Sequence, residues 1–192
     1  TLKVELTHPQ RVISAIPGGY GWPEGGRPAG KEFMTRLAES LEQGKGVGPL
    51  MEALTPADRP KMTEEQLEAI NTMVMRNNDA LALAAVVRGF KGLEADEKSL
   101  RANKVPTLSI IGGIDPLKVD VDRLVGVMGS HKVVTIDGAD HAMTMFRPEF
   151  LAAIKEFLAQ HRLTPLPGNP APPPAKEGTA PAPGSGTSPQ QE

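Results

Sequence analysis

Cysteine is absent from all 192 residues of the chain, which excludes disulfide bonds, a thiolate metal site and a cysteine nucleophile. No run of residues approaches the roughly 18–20 apolar positions that a membrane-spanning helix needs. An excess of positive charge is also missing, since 21 Lys and Arg stand against 23 Asp and Glu. Without a basic surface, we do not expect a nucleic-acid partner. The composition, 39% hydrophobic and 23% charged, is typical of a globular domain with an adequate core.

The sequence begins Thr1-Leu2-Lys3, with neither an initiator methionine nor a signal peptide. We therefore expect the chain to be either processed or a piece of a longer protein. Any targeting segment would then lie upstream, so both a cytoplasmic and an exported protein fit the sequence. The oligomeric state is left open in the same way.

Two stretches of the chain, 1–22 and 101–163, contain short apolar runs rich in β-branched residues, which predict buried strands. These runs lie at residues 11–16, 105–112 and 132–137. Helical patterns follow the second and the third run. The order strand, helix, strand, helix predicts an α/β fold, with parallel strands and flanking helices.

Residues 23–100 differ in composition and hydrophobic pattern from the stretches on either side. Val and Ile are sparse there, and helix signals dominate, among them a capping box that starts at Thr63 and a cap at Asp79. Residues 164–192 differ again, because Pro, Gly, Ala and Ser dominate and little apolar surface is available for burial. We therefore expect a helical segment at 23–100 and a disordered tail at 164–192.

Two polar residues come shortly after predicted strands. Asp115 follows the run at 105–112, and His141 follows the run at 132–137. Neighbouring parallel strands lie about 4.8 Å apart, and their carboxyl ends meet at the same edge of the sheet. We therefore expect the Asp115 carboxylate to hold one nitrogen of the His141 imidazole, which leaves the other nitrogen as a general base.

Both residues also have an ordinary structural interpretation. Asp115 could cap a turn or a helix, and His141 could be a surface histidine at the end of a loop. Asp120 and Asp122 compete for the role of the acid, although their positions fit the first turn of the next helix. Solvent exposure is expected for the remaining histidines, which stand beside predicted element ends: His8, His131 and His161.

Three segments together resemble the end of the α/β-hydrolase superfamily. They are Val105 to Pro116, Val133 to His141, and Arg147-Pro148-Glu149-Phe150 before a terminal helix. The resemblance covers about residues 1–162, because His8 to Gly19 is similar to the segment just after the family's nucleophile elbow. It implies Asp115 as the triad acid, His141 as the triad histidine, and residues 23–100 as a helical cap inserted over the active site.

The loop Pro17-Gly18-Gly19-Tyr20-Gly21-Trp22 lies under this expected cap. Its position suits a wall of the substrate pocket, so we predict Tyr20 and Trp22 as substrate-binding residues. Ordinary packing is the alternative for both.

The family's Gly-x-Ser-x-Gly elbow does not occur in the chain. The resemblance therefore implies the C-terminal part of an ester-type hydrolase whose nucleophile, Ser or Asp, lies upstream of Thr1. We expect the 192-residue chain alone to be inactive and poorly stable, because its strands lack sheet neighbours. A non-catalytic binding module with the same fold is the alternative hypothesis. No metal or organic cofactor is expected, and the substrate is a small molecule that the sequence does not identify.

Overall fold

Helices dominate the residues that the computed structural model describes, 1–23 and 31–162, which all belong to one unit, Thr1–Arg162. None of the helices in these ranges is long and apolar enough to cross a membrane. The predicted tail at 164–192 lies outside the described residues. The elements follow in the order α1 (Leu2–Thr7), α2 (Lys31–Glu42), α3 (Gly48–Leu54), α4 (Glu64–Met75), α5 (Ala80–Gly89), α6 (Glu97–Ala102), β1 (Thr107–Gly112), α7 (Lys118–Val127), β2 (His131–Ile136) and α8 (Pro148–Gln160).

The strands β1 and β2 form a parallel pair in which Thr107 lies opposite His131 and Gly112 lies opposite Ile136. All six residues of β1 are buried, which is why this strand reads as a continuous apolar run in the sequence. The helix α7 connects the two strands, and α8 follows β2. The predicted α/β class, with parallel strands and flanking helices, is confirmed.

The strand predicted over residues 11–16 is only partly present. Arg11 ends a short 3-10 helix, and the segment pairs with β1 only through isolated parallel bridges at Ala15 and Gly18. Pro17, between them, has no N–H to donate, so the ladder cannot continue as a regular strand. The segment still lies along the edge of β1 that faces away from β2, and it carries the following loop to the carboxyl end of the sheet.

Helices cover both faces of the strand pair because the side chains of β1 alternate between those faces. Leu108 shares a buried cluster with Phe157 of α8, whereas Thr107 points to the opposite face and hydrogen-bonds to Glu5 of α1. The helices α1, α6 and α7 meet on that second face in a cluster of Leu2, Ala95, Leu100, Leu124 and Met128. The strands therefore form the middle of three layers.

The helices α2 to α5 have a core of their own. Thr63 starts α4 with the predicted capping box, since it accepts the Gln66 N–H and donates its own N–H to the Gln66 side chain. Asp79 caps α5 by accepting the Ala82 N–H at 2.9 Å. Both predicted caps are confirmed. The buried residues of this core are Leu37, Ala38, Leu41, Val47, Ala84 and Val87.

Candidate active site

The carboxyl ends of β1 and β2 bring Asp115 and His141 side by side. The Nδ1 atom of His141 lies 2.9 Å from the Oδ2 atom of Asp115. A carboxylate can only accept, so Nδ1–H is the donor and the neutral ring keeps its unprotonated nitrogen at Nε2. Within residues 1–23 and 31–162, Nε2 makes no hydrogen bond. The arrangement leaves Nε2 able to accept a proton from a further group.

Backbone hydrogen bonds between the two turns fix this arrangement. The Gly113 N–H donates to the Ile136 carbonyl at 2.8 Å, and the Ile114 N–H donates to the Ala139 carbonyl at 3.1 Å. Gly112 permits the close approach, because a Cβ atom there would lie 2.2 Å from the carbonyl oxygen of Ala139. The two turns therefore form one unit rather than two independent loops.

The second oxygen of Asp115 has a structural partner. Oδ1 accepts the N–H of Leu117 at 2.8 Å, directly before α7 begins. The side chain of Asp115 is only 1% exposed. Its interpretation as a turn-capping residue and its interpretation as the partner of His141 therefore both describe the structure, and the backbone donor orients the carboxylate toward the imidazole.

The surroundings of His141 favour its charged form. The hydrogen bond to Asp115 raises the pKa of His141 above its ordinary value, burial opposes this, and the negative charges of Asp115 and Asp140 add to the rise. The side chain stays 30% exposed, whereas its partner carboxylate is almost completely buried. A base of raised pKa next to a buried carboxylate is suited to taking up a proton and holding it briefly.

The competing acids are occupied elsewhere. Asp120 pairs with Arg123 at 2.6 Å, and Asp122 pairs with Lys118 at 2.6 Å, both within α7. Asp140 caps the turn that follows it. The expected position in the first turn of a helix is confirmed for Asp120, whereas Asp122 lies beyond the first turn of α7.

Tyr20 and Trp22 have different surroundings. Tyr20 lines a cavity of about 270 Å³ together with Leu2, Val4, Phe90 and Leu93. Burial, followed by the negative charges of Asp120 and Glu94, raises the pKa of the Tyr20 hydroxyl. Larger cavities, of about 520 and 670 Å³, lie among the helices α2 to α5. Neither these cavities nor the 270 Å³ cavity is lined by Asp115 or His141.

Trp22 does not line the 270 Å³ cavity. Its indole N–H donates to the Ala95 carbonyl at 3.0 Å, its backbone N–H donates to the Asp120 carbonyl at 2.9 Å, and its ring packs against the cluster around Leu2 and Leu124. These contacts are those of the packing alternative. The substrate-binding roles of Tyr20 and Trp22 remain predictions.

A buried carboxylate lies at the opposite end of β1 and was not expected from the sequence. Glu5 is 1% exposed, and its Oε2 atom accepts from the Thr107 hydroxyl at 2.7 Å and from the Asn103 amide at 3.1 Å. Its Oε1 atom has no partner among the residues that the structure describes. The sequence feature that could have indicated this burial is the spacing of three residues between Leu2 and Glu5, which places both on the inner face of α1.

His131 is also buried, so the expectation that it is solvated is wrong. Its Nε2 atom lies 2.9 Å from the Ser109 hydroxyl oxygen. Burial lowers the pKa of His131, partly offset by the carbonyl of Leu124. The strand β2 begins at His131, one residue earlier than predicted. His131 therefore belongs to the sheet and not to the turn before it.

Solved structures of α/β hydrolases share this arrangement of elements. The chain matches an α/β hydrolase enzyme from a Medee basin deep-sea metagenome library with a TM-score of 0.63 and 17% identity, over 85% of this chain and 62% of that chain. It matches the meta-cleavage product hydrolase of Pseudomonas fluorescens IP01 with a TM-score of 0.57 and 14% identity, over 82% and 60%. It matches a carboxylesterase structure from the thaumarchaeon Nitrososphaera gargenis with a TM-score of 0.57 and 15% identity, over 81% and 59%.

The chain thus spans about three fifths of the length of these solved structures. No protein-family model matches the chain, and no curated protein sequence matches it either. At these identities the likeness establishes the fold, while activity has to be argued from the site. The chain has part of the α/β-hydrolase fold, with Asp115 and His141 paired at the carboxyl ends of its parallel strands.

Proposed function

We propose that the chain is the C-terminal part of a hydrolase that acts on an ester-type small molecule, with Asp115 and His141 as the acid and the base of a catalytic triad. The observation that carries the proposal is the 2.9 Å hydrogen bond between Asp115 Oδ2 and His141 Nδ1. It leaves Nε2 unprotonated and without a hydrogen bond among the described residues, which is the state that a general base requires.

In the proposed reaction, a hydroxyl nucleophile outside these 192 residues loses its proton to Nε2 of His141 as its oxygen attacks the ester carbonyl. The imidazolium forms next to Asp115, whose negative charge stabilises it. Nε2 then returns the proton to the leaving alcohol as the C–O bond breaks and an acyl-enzyme remains. A water molecule hydrolyses this intermediate by the same sequence of proton transfers.

The nucleophile is assigned to a missing segment because the Gly-x-Ser-x-Gly pattern does not occur in the chain. Ser109 does not replace it, since its hydroxyl is buried in β1 and lies next to His131 instead of His141. We therefore propose that the 192-residue chain is inactive by itself.

We further propose that residues 23–100 act as a cap over the site. Support comes from the contact of this segment with the loop at Tyr20. Phe90 and Leu93 line the 270 Å³ cavity together with Tyr20 and with Val4 of α1, whereas Asp115 and His141 do not line it. The boundary predicted at residue 100 falls inside α6, so the division into cap and core stays a proposal.

The test is ester hydrolysis by the protein extended to include its upstream coding residues. We expect turnover of p-nitrophenyl acetate, and we expect His141→Ala to abolish it, because no other described imidazole hydrogen-bonds to Asp115. His8→Ala is the matched control, since His8 is exposed and distant in sequence from both turns.

Two results would contradict the proposal. Turnover that survives His141→Ala would show that this histidine is not the base. An extended protein that is folded but hydrolyses none of a panel of esters would favour the alternative of a non-catalytic binding module with the same fold.

A further inference from the structure

The geometry points to Gly19 as a positioning residue for His141, held in place by the loop that runs to Trp22. The inference rests on the proposed function, in which the imidazole of His141 is the base. It assigns to this loop a task other than contact with substrate.

The imidazole of His141 lies directly against the backbone of Gly19. A Cβ atom on Gly19 would come within 2.8 Å of Cε1 of the ring, 3.4 Å of Nδ1 and 3.7 Å of Nε2. Ordinary van der Waals contact begins at about 3.4 Å, so any side chain here would displace the ring or the loop by ~0.6 Å or more. Gly19 also has φ of +61°, in the left-handed region that favours glycine.

The contact with Gly19 lies at the side of the imidazole ring that carries both nitrogens. The Cε1 atom lies between Nδ1 and Nε2, so a push at Cε1 changes the position of both nitrogens. Asp115 cannot follow such a movement, because its side chain is buried and its other oxygen is held by the Leu117 N–H. A displaced ring would lengthen the 2.9 Å hydrogen bond and move Nε2 away from the place where a nucleophile would meet it.

The loop cannot move back to make room for a side chain. Gly21 packs against α7 so closely that a Cβ atom there would lie 2.1 Å from the carbonyl carbon of Asp120. Trp22 adds two anchors, from its backbone N–H to the Asp120 carbonyl and from its indole N–H to the Ala95 carbonyl. Trp22 therefore acts through the loop on the position of His141, as a positioning residue.

Two other glycines provide matched controls. Gly44 has φ of +69° and Gly138 has φ of +66°, and a Cβ atom on either would meet nothing within 4 Å. Substitution by alanine at these positions therefore introduces the same left-handed alanine without a collision. Gly138 lies in the turn that leads to His141, so it also controls for backbone strain near the site.

The first measurement does not depend on activity, and it uses the extended protein because we expect the 192-residue chain alone to be poorly stable. The Nδ1–H proton of His141, hydrogen-bonded to Asp115, is followed by NMR in labelled protein. We expect Gly19→Ala to shift or abolish this signal and to alter the titration of His141, whereas Gly44→Ala and Gly138→Ala preserve both. Trp22→Phe, which keeps an aromatic ring but lacks the indole N–H, is expected to shift the signal in the same direction by less.

The second measurement is turnover by the same extended protein. We expect Gly19→Ala to lower kcat for p-nitrophenyl acetate by about 100-fold with little change in KM, because a catalytic group displaced by about 1 Å loses rate by roughly this factor. An unchanged His141 signal and an unchanged kcat in Gly19→Ala would overturn the inference. If Gly19→Ala does not fold, a Trp22→Phe protein with an unchanged signal has the same consequence.

The two proposals can fail separately. Asp115→Asn must change the His141 signal whether or not Gly19 matters, because it removes the acceptor. An extended protein without turnover would reject the hydrolase, while the NMR comparison of Gly19→Ala with Gly44→Ala would still decide the role of Gly19.

Discussion

Replacement of Asp115 by asparagine separates the tautomer of His141 from the packing around it. The amide keeps an oxygen for the Leu117 N–H, but it presents an NH₂ group where Oδ2 accepted the Nδ1–H of His141. The ring must then accept at Nδ1 and carry its proton at Nε2. We expect Asp115→Asn to lower kcat of the extended protein by about 10⁴-fold, because the base atom is already protonated.

The expected loss of stability is modest and depends on pH. A hydrogen bond to a charged group contributes about 1.5–3 kcal/mol and a neutral one about 0.5–1.5 kcal/mol, so the exchange costs about 1–1.5 kcal/mol. For a folded unit of this size, that corresponds to a fall of about 2–6 °C in Tm. The pKa of His141 is raised in the folded state. The stability that this raised pKa contributes to the folded state is therefore fully present below pH 6.5, the pKa of His141 in the unfolded chain. It is lost as the pH rises through the pKa of the folded state.

Thermal unfolding and nitrogen NMR together test this reasoning. We expect Asp115→Asn to lower Tm more at pH 5.5 than at pH 9, and to move the ring proton from Nδ1 to Nε2. An Nδ1 that keeps its proton, or a fall in Tm that is larger at alkaline pH, would refute the assignment of the hydrogen bond.

Two further predictions concern the buried polar groups of the sheet. Burial lowers the pKa of His131 below 6.5, its value in the unfolded chain. The folded protein therefore loses stability as the pH falls from 6.5 toward the pKa of the folded state. We expect His131→Gln to reduce the difference between Tm at pH 7.5 and Tm at pH 5. A Tm difference as large as that of the parent would contradict this. Glu5→Ala removes the acceptor of the Asn103 amide and leaves a cavity, so we expect a loss of about 2–4 kcal/mol in denaturant unfolding. Glu68→Ala, on the exposed face of α4, is its control, and equal losses for the two variants would show that the buried contacts contribute nothing.

Local patterns in the sequence were sufficient to predict the elements that carry the site. The apolar run at 105–112 reads as a strand buried on both faces, and the capping box at Thr63 specifies the start of α4. The pairing of Asp115 with His141 could be anticipated because both follow parallel strands, whose carboxyl ends share one edge. Strand burial and helix capping each depend on a few consecutive residues, so a short stretch of sequence is enough to predict them.

The features that were missed depend on contacts between distant segments. The run at 11–16 has the composition of a strand, but Pro17 interrupts its ladder with β1. Glu5 and His131 are polar residues whose burial depends on what packs over them, and neither α7 nor β1 is close to Glu5 in sequence. The role of Gly19 could not be predicted either, since its neighbour is a ring 122 positions later in the chain.

The burial of Asp115 has a consequence for the ionic conditions in which the pair can work. Dissolved ions weaken an electrostatic interaction by gathering around exposed charges, with a screening length of about 8 Å at physiological ionic strength. With only 1% of its side chain accessible, the Asp115 carboxylate offers them almost no surface. The surface ion pair between Arg88 and Glu42 will weaken in concentrated brine, whereas the field that orients His141 will be nearly the same in brine and in dilute buffer.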